Sequence, residues 1–124
     1  MQIALPGVAA DGTVTVQGPS VRFTFSHKGQ AAVRMRVTWD IDKPPVVHPL
    51  PSGGGGQPQP RQIAPGRYLV SARVQAVALP GLPNASIDSE LSINGQRVLT
   101  AKGLLPTQEP RVDLDGRMFF LVVT

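Results

Sequence analysis

The sequence predicts an all-β fold, a two-sheet antiparallel β-sandwich, and three observations predict it. Apolar and polar residues alternate with period two in several segments, while no window of about 11 residues carries a 3.6-residue apolar period. The 13 glycines and 13 prolines of the 124-residue chain break it at short intervals, as turns between short strands require. Asn-Gly and Asp-Gly pairs stand between alternating segments, where hairpins close.

Taken in order, residues 21–26 alternate Val21, Phe23 and Phe25 with Arg22, Thr24 and Ser26. Residues 33–40 alternate more clearly, and Val33, Met35, Val37 and Trp39 are expected in the core. The residues between them read as a hairpin loop. A loop of His27, Lys28 and Gly29 puts Gly29 where φ > 0 is needed and pairs Phe25 with Ala31, Phe23 with Val33 and Val21 with Met35. A shorter Lys28-Gly29 loop would set Phe23 against Arg34, so matching of faces selects the longer one.

Residues 43–66 change character. Pro44, Pro45, Pro49, Pro51, Pro58, Pro60 and Pro65 flank Gly53, Gly54, Gly55 and Gly56, and no regular element is expected there. The flanking halves are too short to stand alone, so this is a long surface loop within one domain spanning residues 1–124. Loops of that length usually serve binding or assembly, which makes His48, Leu50, the four glycines and Gln57 candidate contact residues.

The Pro65-Gly66 turn leads into a long central strand over residues 67–77, with Tyr68, Val70, Ala72, Val74 and Ala76 on one face. Pro80, Gly81 and Pro83 then break the chain and place Leu79 and Leu82, two further contact candidates, on an irregular connection. Residues 87–93 and 96–101 flank Asn94-Gly95, the strongest short hairpin signal, in a register that sets Leu91 opposite Val98. Residues 111–114 and 117–123 flank Asp115-Gly116, a further hairpin candidate. The final run is continuously apolar, so both its faces should be covered, by a second sheet and a loop or by a neighbouring subunit, and Phe120 and Val122 join the contact candidates.

Residues 65–74, from the Pro-Gly turn through the strand bearing Tyr68, followed by residues 90–98 around Asn94-Gly95, resemble the second half of jelly-roll modules such as carbohydrate-binding modules and C1q-like heads. The resemblance covers about half the chain and implies a jelly-roll-like sandwich, an architecture that also serves viral coat and capsid-decoration proteins. It carries no binding residue over.

The supply of reactive groups is thin. There is no cysteine, His27 falls in the predicted turn and His48 in the Pro-rich loop, and Gly53 to Gly56 is followed by Gln57-Pro58 without the Lys-Ser/Thr of a phosphate loop. No enzymatic activity, cofactor or metal is therefore expected. Asp40 with Asp42, and Asp113 with Asp115-Gly116, are incomplete as calcium loops and read as a strand end and a turn. Asn84-Ala85-Ser86 matches a glycosylation acceptor, without meaning unless the chain is exported. The aromatic residues, Trp39 among them, sit mostly at core parity, which leaves little for stacking on sugars or unpaired bases.

The net charge of +4 would favour polyanions if the cations clustered, but along the sequence they are spread, with Arg34 and Arg36 the tightest group, so nucleic acid ranks third among partners. The first residues lack the charged start and apolar run of a signal peptide, and no segment approaches the ~20 apolar residues of a membrane span. Cytoplasmic synthesis without that export route, and no membrane partner, are the expectations. The whole reads as a non-catalytic structural protein that packs with other subunits, as a homo-oligomer, in a larger assembly. A phage or virus particle (decoration, coat-associated or tail protein) is the expected assembly and the virion the expected location. A carbohydrate- or cell-surface-binding module is the alternative, and the sequence leaves a small-molecule ligand unknown.

Overall fold

The computed structural model describes residues 2–41, 47–51, 60–77, 85–104 and 112–124. Every regular element among them is a strand: β1 (Gln2–Ala4), β2 (Thr13–Val16), β3 (Ser20–Val21), β4 (Phe23–His27), β5 (Ala32–Trp39), β6 (Val47–Pro51), β7 (Arg61–Gln62), β8 (Gly66–Val77), β9 (Ser86–Ile93), β10 (Gln96–Leu104) and β11 (Val112–Val123). Sheet A has the order β1-β10-β9-β4, sheet B the order β2-β11-β8-β5-β6, and β3 with β7 forms a two-stranded patch. The two larger sheets pack face to face as a β-sandwich. All pairings are antiparallel except that of β2 with β11, which runs parallel with Val14 beside Leu121.

The alternation in each strand sorts its side chains between core and surface. Val33, Met35, Val37 and Trp39 are buried, as are Val70, Ala72, Val74 and Ala76, while Tyr68 is half-buried. From sheet A they meet Phe23, Phe25, Ile87, Leu91, Ile93 and Leu99. The rings of Phe23 and Trp39 bridge the two sheets, stacked at 4.8 Å between centroids and 14° between planes, within the range where aromatic pairs add about 0.5–1.5 kcal/mol beyond area burial. The Tyr68 hydroxyl donates to the Ala64 carbonyl at 2.7 Å and so fixes the turn that starts β8.

Four local expectations are corrected. First, residues 21–39 do not form a hairpin: β4 pairs with β9 in sheet A, and β5 pairs with β8 and β6 in sheet B. Two strands with matched alternation can pair side by side or face each other across a core, and the pattern within each does not distinguish these. What carries the chain across is a set of bonds to β9 and the residues beside it. Lys28 N–H donates to Asp88 O at 2.9 Å, Ala31 N–H to Ser86 O at 3.1 Å and Gln30 N–H to Ser86 Oγ at 3.0 Å. His27 is accordingly the last residue of β4 rather than part of a tight turn. Gly29 has no left-handed φ; a Cβ there would overlap the Ser86 carbonyl oxygen, so close approach and not turn geometry requires glycine.

Second, β9 and β10 close over Asn94 (φ 52°) and Gly95 (φ 81°) as expected, but Leu91 faces Leu99 and not Val98. A register shift between Arg97 and Leu99 makes Val98 an extra residue. A regular strand would turn one of two consecutive apolar side chains outward, whereas the bulge buries both Val98 and Leu99 at 0% exposure.

Third, Asp115-Gly116 is not a turn. Strand β11 runs unbroken beside β8 from Val112 opposite Ala76 to Val123 opposite Gly66, with a register shift between Asp113 and Gly116. Turns and bulges both recruit glycine, and here the long β8 edge offers pairing along the whole segment.

Fourth, residues 43–66 are not devoid of regular structure. β6 pairs with β5, Leu50 opposite Met35 and Pro49 opposite Arg36. Proline is admitted because β6 is an edge strand, where one side of the backbone has no ladder to complete.

Candidate interaction surface

The expected contact residues separate. Leu50 is buried at 9% exposure among the core residues, so it serves packing and is not open to a partner. His48 lies in β6 opposite Val37, within a strand rather than a loop. Gly53, Gly54, Gly55, Gly56, Gln57, Leu79 and Leu82 lie outside the described residues. Phe120 and Val122 are half-buried on the outer face of sheet B, while Phe119, Leu121 and Val123 point into the core. The final run therefore does sort its side chains between two faces, but both faces are apolar.

On that outer face Met118 is 61% exposed, and Phe120 pairs with Leu69 of β8 and Thr13 of β2. Arg67, opposite Val122, reaches diagonally to place its guanidinium 4.0 Å from the Phe120 ring centroid. Such a cation–π contact contributes about 0.5–1 kcal/mol when exposed and covers the ring. Phe23, Phe25, Trp39 and Phe119 are buried and Tyr68 is half-buried, so no aromatic ring of the chain stands fully open for stacking. Trp39, expected in the core, is there at 6% exposure with Arg61 5.1 Å from its ring centroid.

Further along the same face the register gathers cations that are far apart in sequence. Arg36 of β5 stands directly opposite Arg73 of β8, and Arg34 is two residues along β5 opposite Gln75. All three arginines are exposed, so the scattered distribution read from the sequence is corrected in space. The signal lay in parity, since all three occupy polar positions of the predicted strands; only the β5–β8 pairing brings them together. Sheet A is balanced instead: Glu90 meets Arg97 at 3.8 Å, and Lys102 pairs with Asp88.

The polar groups best placed for chemistry are occupied structurally. His27 Nε2 lies 2.6 Å from the Ala31 carbonyl, which can only accept, so in the neutral ring Nε2 carries the proton and Nδ1 accepts from Ser89 Oγ at 2.8 Å. Ser89 is fully buried, and this His–Ser pair ties the β4–β5 crossing to β9. Asp40 Oδ1 accepts from Leu69 N–H at 3.0 Å and its own N–H donates to Leu69 O at 3.3 Å, which places it at a strand end as expected. Asp113 and Asp115 lie within β11 at the register shift. Among the described residues no group of three or more His, Cys, Asp or Glu could hold a metal ion, and no helix is long and apolar enough to cross a membrane.

Asp11, fully exposed, has its carboxyl held below the ordinary 3.8, first by the Thr13 hydroxyl donating to Oδ1 at 2.7 Å and then by the Thr13 N–H at 3.2 Å. No protein-family model, curated protein or solved structure matches the chain.

Proposed function

We propose that this chain is a non-catalytic structural protein that packs against other protein subunits through the outer face of β11, as part of a larger assembly of which a phage or virus particle is the best example. The observation that carries the reading is the apolar stripe of Met118, Phe120 and Val122 on the outer face of sheet B, where an isolated sandwich would present polar residues. A jelly-roll-like sandwich of this size suits such a role. A carbohydrate-binding module needs open aromatic faces, and the burial of the rings weighs against that alternative.

Light scattering on the purified chain tests the proposal. The expected result is an oligomer that Met118→Lys together with Val122→Lys converts to monomer, because the two cations would be desolvated in the interface. A monodisperse monomer, unchanged by the substitutions, would overturn it, and retention of a glycan on an array by that monomer would establish the carbohydrate reading instead.

A further inference from the structure

We infer that the Arg34–Arg36–Arg73 cluster on the outer face of sheet B binds the phosphate backbone of duplex nucleic acid, without reading its sequence. The inference is independent of the β11 packing surface, since it rests on charge carried by β5 and β8.

The cluster breaks a rule that a sheet built only for stability obeys. Like charges directly opposite on neighbouring strands destabilise a sheet, and Arg36 faces Arg73 with Arg34 two residues on. Among the described residues none of the three makes an ion pair. Among the described side chains Asp40 shares the parity of Arg34 and Arg36 but stands four residues beyond Arg36, where its Oδ1 accepts from Leu69 N–H, so the described patch stays net positive. An unfavourable charge group on two interior strands of a sheet is expected where a ligand supplies the missing counter-charge.

The chemistry selects phosphate on a duplex. All three cations are arginine, whose planar fork donates two parallel hydrogen bonds to a phosphate. Arg34 and Arg36 are about 6.8 Å apart along the strand, comparable with the separation of successive phosphates on a nucleic-acid strand, and Arg73 adds a third donor roughly 5 Å across the sheet. Single strands bind by stacking bases on aromatic rings, and this patch has none, Phe120 being covered by Arg67. With no helix among the described residues to enter a major groove, the contact expected of the cluster is with the backbone.

The test is fluorescence anisotropy with a labelled duplex DNA of random sequence, titrated with the full chain across a salt series. Three phosphate contacts give a slope of log K against log salt of about −2.7, hence roughly 40-fold weaker binding between 50 and 200 mM salt. The Arg36→Gln, Arg73→Gln double variant should reduce the slope to about −0.9 and the loss over that range to about 3.5-fold. Arg97→Gln, on the opposite sheet, should leave the slope unchanged. The three side chains are exposed, so the variants fold, and melting curves confirm it. Absence of binding at low salt overturns the inference, as does a slope unmoved in the double variant. Tight binding of poly-glutamate with none of the duplex also overturns it and assigns the cluster to an acidic protein partner.

Discussion

Asn94 does more than shape a turn, and replacing it with glycine separates its two roles. Locally, Asn94-Gly95 is a two-residue hairpin loop with both φ angles positive, a conformation that Gly-Gly also adopts readily. Beyond the turn, Asn94 Oδ1 accepts from Arg22 N–H at 2.8 Å, while Nδ2 donates to the carbonyls of Gln17 at 3.2 Å and Ser20 at 3.1 Å. The side chain thus ties the β9–β10 hairpin to the segment that carries β3 into β4. At about 0.5 kcal/mol per bond, the low end suited to an exposed group, three bonds contribute roughly 1.5 kcal/mol. Asn94→Gly keeps the backbone conformation and loses all three. With m near ~1.5 kcal/mol per molar urea, the unfolding midpoint should fall by about 1 M with m unchanged. Asn94→Ala, which must also enter the left-handed region, should lose about 1 kcal/mol more. A midpoint shift below about 0.2 M for the glycine variant would refute the reasoning, because the residue would then matter only as a turn former.

Two further predictions concern places where the chain crosses between sheets or is held by a polar cap. Gly29→Ala should destabilise by about 1–3 kcal/mol, since its Cβ overlaps the Ser86 carbonyl and the β4–β5 crossing must shift; a melting temperature equal to that of the parent would mean that the close approach is not real. Because the folded-state pKa of Asp11 lies below its unfolded value, its contribution is present above the unfolded pKa and is lost as pH falls through the folded one. Urea titrations of the parent and of Asp11→Asn at stepped pH should therefore differ by a constant amount near neutrality and converge in acid as the pH falls through the folded-state pKa, and a gap that widens on acidification would contradict the sign.

The inward-facing set was legible without coordinates: Val33, Met35, Val37, Trp39, Val70, Ala72, Val74 and Ala76 are buried as their alternation requires, because strand parity is a local property fixed by the pleat. The same holds for the Asn94-Gly95 turn, whose two left-handed residues few other sequences tolerate. Strand partners were not legible. The run from Val21 to Trp39 fits a hairpin as well as a crossing between sheets, and the choice depends on Ser86 and Asp88, whose carbonyls receive the loop's N–H groups. Strand β2 carries a Thr-Val alternation in plain view, yet its parallel pairing with β11 involves residues from opposite ends of the chain. The bulge at Val98 and the irregularity at Asp115-Gly116 each depend on the partner strand: one lets Val98 and Leu99 both reach the core, and the other lies where the β8 edge offers pairing beyond an apparent turn.

The candidate surfaces divide in the same way. Sequence alone determined that this chain folds as a β-sandwich and which side of each strand faces the core, because period-two patterning and turn chemistry act over a few neighbouring residues. Tertiary structure decided that Leu50 is core, that Met118, Phe120 and Val122 share one outer face, and that Arg73 stands beside Arg36 although 37 positions separate them. Register is a relation between segments: it follows from the collective burial of two sheets and from loop bonds between distant residues, and no single strand contains it.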